Sequence, residues 1–146
     1  MLSKKTQYAI KALVILGKNY GKDPMQILRI AQEDKIPKKF LEQILLELRN
    51  AGLLVSKKGA GGGYSLNKDP KEIFLVQVLR ITGGPIALLP CVSLNFYQRC
   101  EECIDEKTCG IRDVFTDVRN ASLKILTETS IADVIARENT LLQGIL

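Results

Sequence analysis

Apolar residues recur along this chain at helical spacing, then in two short β-prone runs, then at helical spacing again. Tyr8, Ala9, Ala12, Leu13, Ile15 and Leu16 mark one face of a helix over Thr6–Lys18, with Ser3 placed to cap it. Gly17, Asn19, Gly21, Asp23 and Pro24 read as a cluster of helix breakers. A short helix is expected from about Gln26 to Asp34, and Lys35-Ile36-Pro37 ends it. Pro37 suits the first turn of the next helix, because the N–H it lacks has no partner there. That helix runs from Pro37 to Asn50, with Phe40, Leu41, Ile44, Leu45 and Leu48 on one side and Gly52 just past its end.

The period then changes. Leu53-Leu54-Val55 and Tyr64-Ser65-Leu66 are short strands, and the basic, glycine-rich Ser56–Gly63 between them makes a hairpin with a long tip. A helix from about Ile73 to Ile81 follows and stops at Thr82-Gly83-Gly84-Pro85. Residues 86–109 show no period. From Ile111 to Glu128 the positions Ile111, Val114, Phe115, Val118, Ala121, Ile125 and Leu126 step by about three and four, predicting one apolar stripe. Thr129-Ser130 with Asp133 resembles a capping box for a last short helix, Ile131–Arg137.

At 146 residues, 46% hydrophobic and 25% charged, the chain fits one globular domain with an appended element. No apolar run is long enough to cross a membrane. Met1-Leu2-Ser3-Lys4-Lys5 lacks the apolar stretch of a secretory signal, so a cytoplasmic protein is expected. The net charge of +5 is unevenly spread: residues 1–71 carry 14 Lys and Arg against 6 Asp and Glu, and residues 72–146 carry 7 against 10. A basic first half points to a polyanionic partner.

Helix, short helix, tight turn, helix and basic hairpin, in that order, make a winged helix-turn-helix, a mainly α fold with a small β-hairpin wing. In such a fold the helix after the turn enters the major groove of double-stranded DNA. Here its exposed start offers Lys38, Lys39, Phe40, Glu42 and Gln43. Gln43 can pair with adenine, and Glu42 can accept from cytosine N4. Lys57 and Lys58 in the wing sit beside glycines that let backbone approach phosphate. The run Lys58-Gly59-Ala60-Gly61-Gly62-Gly63 is not a phosphate-binding P-loop, because no Gly-Lys-Ser/Thr follows.

Residues 1 to about 137 resemble the IscR/NsrR/CymR type of bacterial regulators, the Rrf2 family. The resemblance is carried by Ser3-Lys4-Lys5-Thr6-Gln7-Tyr8-Ala9, Ile36-Pro37-Lys38-Lys39-Phe40-Leu41-Glu42-Gln43, Leu48-Arg49-Asn50-Ala51-Gly52-Leu53 and, most specifically, Lys58-Gly59-Ala60-Gly61-Gly62-Gly63-Tyr64. It implies that Lys58 enters the minor groove and that Lys39, Phe40, Glu42 and Gln43 face the major groove. Lys35 departs from the pattern, which often has Gly in the turn.

Four cysteines fall in the aperiodic segment as Cys91-x8-Cys100-x2-Cys103-x5-Cys109. In a reducing compartment such clustering points to metal or redox chemistry rather than structural disulfides. The acidic neighbours Glu101, Glu102, Asp105 and Glu106 are expected to raise the thiol pKa values. Thiolates suit iron–sulfur clusters or zinc. Cluster-binding members of the resembled family carry three cysteines here, and Cys103-x5-Cys109 matches their last interval. Cys91 matches the first only across a longer gap, and Cys100 is an addition. In IscR a histidine lies three residues after the last cysteine; this chain has Arg112 there and no histidine. CymR-like members have no cluster and respond through a protein partner or cysteine oxidation. Three readings stay open: an iron–sulfur cluster of 2Fe–2S or 4Fe–4S type on Cys91, Cys100, Cys103 and Cys109, metal-free thiols, and structural zinc.

The expected organisation is a DNA-binding domain over residues 1–85, a cysteine sensor loop over 86–109, and a dimerisation helix with tail over 110–146. Ile111, Val114, Phe115, Val118 and Ile125 would form a homodimer interface, since so long an apolar stripe is costly to leave in water. No enzyme is expected. Cys100-x2-Cys103 lacks the βαβ surroundings of a thiol oxidoreductase, and the basic wing argues against a protein–protein adaptor on the same scaffold, which a salt-dependent gel shift would decide.

Overall fold

The computed structural model describes residues 2–145; Met1 and Leu146, the outer limits of the first and last expected segments, lie outside the described residues. Helices α1 (Lys4–Lys18), α2 (Ile27–Glu33) and α3 (Lys38–Asn50) precede strands β1 (Leu54–Lys57) and β2 (Gly63–Leu66). Helices α4 (Leu75–Thr82), α5 (Gly110–Glu128) and α6 (Ile131–Ile145) follow. The mainly α fold with a β-hairpin wing agrees with the pattern of the sequence.

One core joins all of these elements except α5. Leu13 and Leu16 of α1, Ile30 of α2, and Leu41, Ile44, Leu45 and Leu48 of α3 are buried together with Leu54, Ile73, Val78 and Ile131. The Ser3 hydroxyl caps α1 by accepting from the Thr6 N–H at 3.1 Å. Between α2 and α3, Lys35 holds the turn at φ 51°. A Cβ there costs on the order of 1 kcal/mol, which the buried faces of the flanking helices offset.

β1 and β2 pair antiparallel, with Leu54 opposite Leu66 and Lys57 opposite Gly63. Each strand is longer than expected, so Lys57 lies in the ladder and only Lys58 reaches the tip. Met25 adds a single bridge to the outer side of β2 through Tyr64, with N–H···O distances of 2.9 and 2.8 Å.

Two expectations fail. Gly17, read as a breaker, lies inside α1 and is buried. A Cβ on it would stand 2.9 Å from Ile135 Cδ1 and 3.2 Å from Ile131 Cγ2, so the glycine is where α6 approaches α1. The last helix does not stop at Arg137 but continues to Ile145. Its first half is seated on α1 through Ile131 and Ile135, and a Lys18–Glu138 ion pair at 2.6 Å follows, whereas residues 139–145, which the local pattern did not identify, are exposed. Its start is as expected: Ser130 and Asp133 exchange bonds at 2.9–3.1 Å in a capping box.

Candidate nucleic-acid interface and cysteine cavity

α3 buries Leu41, Ile44, Leu45 and Leu48 and therefore turns Lys38, Lys39, Glu42 and Gln43 outward, where all four are exposed. No acidic residue and no capping side chain occupies its first turn. Free N–H groups, the positive end of the helix and two lysines thus coincide on one exposed end, a setting for phosphate. Glu47, one turn further, is neutralised by Lys5 at 2.7 Å. Glu42 is the carboxylate of α3 with no ion-pair partner among the described residues. Phe40 differs from its neighbours. Its ring meets Tyr8 of α1 edge to face, with centroids 5.6 Å apart and planes at 82°, so one side of it braces the helix start.

Lys57 and Lys58 are exposed, and neither has an ion-pair partner among the described residues. Arg49, which sequence reasoning passed over, links α3 to the wing: its Nη1 donates to Ser56 Oγ at 3.2 Å. Nothing local pairs a helix-end arginine with a residue of the following strand. The contact appears only once the hairpin folds back.

The aperiodic segment brings its cysteines to one place. Cys91, Cys100, Cys103 and Cys109 all line a cavity of about 460 Å³, with Arg99, Glu106 and Arg112 also in its wall. Cys91 is buried on a 3-10 turn, Pro90–Val92. Cys109 caps α5, its Sγ accepting from the Arg112 N–H at 3.4 Å. Cys100 is exposed, and Cys103, turned back on it by a 3.2 Å backbone bond, is half-buried. Burial first, then Cys109, Cys100 and Glu106, push the Cys103 thiol above its ordinary pKa. Of the four acidic neighbours expected to raise the thiol pKa values, Glu106 is among the causes at Cys103. Tyr97 donates to Glu106 at the rim, and that bond raises the phenol's pKa.

Residues 2–137 match the family model described as Rrf2, iron-dependent transcriptional regulator. An rrf2-like HTH-type transcriptional regulator of Rhodobacter capsulatus is 42% identical over 142 residues, covering 95% of each chain.

The chain belongs to the Rrf2 family.

Its fold is similar to that of CymR, the global cysteine regulator of B. subtilis, with a TM-score of 0.78 at 28% identity over 94% of this chain and 97% of that one. It is also similar to T. potens IscR, with a TM-score of 0.75 at 25% identity over 94% and 88%. As an Rrf2 protein the chain is a DNA-binding transcriptional regulator and not an enzyme. No helix among the described residues is long and apolar enough to cross a membrane.

The Rrf2 wing signature has a steric reason here. A Cβ on Gly62 would stand 2.2 Å from the Lys57 carbonyl oxygen, and one on Gly63 would stand 2.2 Å from that of Met25. Tyr64 then supplies the bridge to Met25.

An iron–sulfur cluster, which the family description raises, can be tested against these residues. Four thiols around one cavity fit it in kind and number. Among the described residues, no three cysteine or acidic side chains yet converge as a metal site, so holding a cluster requires the irregular cysteine segment to close. Arg112 turns its guanidinium to the Cys91 carbonyl at 3.3 Å, and with no free lone pair it cannot be a ligand.

α5 completes the picture. Its expected single stripe divides in two. Phe115 and Leu126 are half-buried, whereas Ile111, Val114, Val118 and Ile125 remain 66%, 58%, 37% and 61% exposed. With exposed Ala121 these four step 3, 4, 3 and 4, the spacing of a seam between helices. No residue of α5 is fully buried.

Proposed function

We propose that this Rrf2 regulator is a cytoplasmic homodimer whose four cysteines sense iron–sulfur or redox state and adjust its hold on a double-stranded DNA operator. The observation that carries this reading is the meeting of Cys91, Cys100, Cys103 and Cys109 on one cavity, with Cys109 itself capping α5. In this reading residues 1–85 bind DNA, 86–109 sense, and 110–146 pair the protomers. Lys38, Lys39, Glu42 and Gln43 face the major groove, with Phe40 braced by Tyr8 beside them. Lys58 enters the minor groove, and Lys57 follows the phosphates. Ile111, Val114, Val118 and Ile125 form the seam between two copies of α5, with Phe115 at its edge.

The four cysteines would hold the cluster, which when bound supplies a metal–thiolate centre that responds to electrons and oxidants. The chain's own part is to close Cys100 and Cys103 toward Cys91 and Cys109, at the start of the pairing helix. Such closure shifts the two winged domains only as far as it favours one arrangement over the other.

Anaerobic purification tests this. The expected protein is brown, contains iron, and changes operator affinity by about 5–150-fold when the cluster is removed. Reconstituted protein that binds no iron, or that holds DNA equally well either way, rejects cluster sensing.

A second reading is supported by the lack of convergence among the thiols and the exposure of Cys100. Free thiols would then carry the signal by oxidation. That reading requires colourless protein whose operator affinity changes with oxidant and recovers with reductant.

A further inference from the structure

The turn that carries Cys91 is tied to α5 by two arginines. Arg112 Nε donates to the Cys91 carbonyl at 3.3 Å, and Arg119 Nη1 donates to the Val92 carbonyl at 2.6 Å. Positions 112 and 119 lie about two helical turns apart, so both side chains leave one face of α5. Arg119 is itself held by Asn120 Oδ1, which accepts from Nε at 3.1 Å and Nη2 at 2.8 Å. Arg112 touches a second cysteine through its backbone, whose N–H donates to Cys109 Sγ at 3.4 Å.

Cys91, Val92 and Ser93 are buried. A carbonyl taken from water needs a donor, and a charged donor holds it more firmly than a neutral one. Neither arginine has an ion-pair partner among the described residues, so neither guanidinium is diverted to a carboxylate.

We infer that Arg112 and Arg119 are positioning residues that clamp the Cys91 turn onto α5 and thereby fix the buried wall of the cysteine cavity to that helix. The purpose of the clamp rests on the sensing role proposed above: moving Cys91 then means moving α5 or breaking a charged hydrogen bond. The clamp itself is a claim about the turn alone.

Site-by-site alkylation of the reduced, metal-free, full-length chain with iodoacetamide, read by peptide mass, tests it. In the unaltered protein Cys100 reacts fastest and Cys91 slowest. Arg119→Met and Arg112→Met each remove one charged donor and should speed Cys91 by about tenfold, the factor for one such bond. Cys100 should not change. Arg119→Lys, which keeps a charged donor, should restore most of the protection. Leu13→Ala lowers global stability from a core position and controls for general loosening. The clamp is overturned if Cys91 speeds no more than Cys100 in both Met variants. It is equally overturned if Leu13→Ala speeds Cys91 as much at a matched melting temperature. Operator affinity plays no part in the readout, so failure of the clamp and failure of the sensing reading are separate results.

Discussion

Gly63 lies against the backbone of Met25 so closely that a Cβ on it would stand 2.2 Å from the Met25 carbonyl oxygen and 2.9 Å from the Gln26 nitrogen. The wing is thereby locked to the segment that leads into α2. Gly63→Ala should cost about 1–3 kcal/mol, because backbone must give way, and should also weaken operator binding by displacing Lys57 and Lys58. Gly144→Ala, where a Cβ meets open space, is the control. Calorimetric melting curves that coincide for the two variants would count against the lock.

Lys39→Ala and Lys58→Ala should each weaken operator binding by about 1–3 kcal/mol. Binding of the unaltered protein should fall steeply with salt, since each phosphate contact releases about one counterion. Equal affinities in titrations at two salt concentrations would remove these residues from the interface.

Val118 lies mid-way along the exposed stripe of α5. Val118→Glu places a charge in the proposed seam and should give monomers with weakened operator binding. The expected dimer reads half-sites about 34 Å apart or a multiple of that. Sedimentation that still shows a dimer of the variant would remove α5 as the interface.

Cys100→Ser separates the possible ligand sets. If Cys100 completes an all-cysteine site, its loss should leave the cluster labile, while Cys103→Ser or Cys109→Ser abolishes it. Iron content and visible absorption after anaerobic reconstitution decide this. Undiminished cluster in Cys100→Ser assigns the fourth ligand elsewhere.

Asp133 accepts from the Ser130 N–H and hydroxyl at the start of α6, and these bonds hold its carboxyl below the usual carboxylate range. Its folded pKa lies below its unfolded value of about 3.9. The stabilisation is therefore complete above that value and is lost as pH falls through the lower, folded pKa. Asp133→Asn should be less stable than the unaltered chain at neutral pH, and the gap should narrow below about pH 4. A gap that stays constant down to pH 2 would show that the charge has no part in the cap.

The winged half was legible in the sequence because its signals are local. Ser3 as cap, the Gly52 stop and the buried faces of α1 and α3 each follow from neighbours a few residues apart, and Pro37 stands one residue outside the helix expected to begin with it, as the N-cap of α3. The wing was legible for the same reason: backbone crowding at Gly62 and Gly63 leaves its mark as a run of glycines. The spacing of the four cysteines marked them as a candidate group, and the fold sets all four around one cavity.

What only the tertiary structure decided are relations between elements distant in the chain. Gly17 looks like a breaker until α6 is seen to need the space its missing Cβ leaves. α6 is seated on α1, more than a hundred residues earlier in the chain, through Ile131 and Ile135, a pairing no local pattern shows. The stripe on α5 is one stripe by period and two by burial, since periodicity ranks residues by face and says nothing of what each face meets. Arg49 against Ser56, and Arg112 and Arg119 against the Cys91 turn, are bonds to backbone or hydroxyl groups, which carry no mark in the sequence. Their partners are chosen by how the chain folds back on itself, because only packing brings those groups within bonding distance and takes the carbonyls out of water.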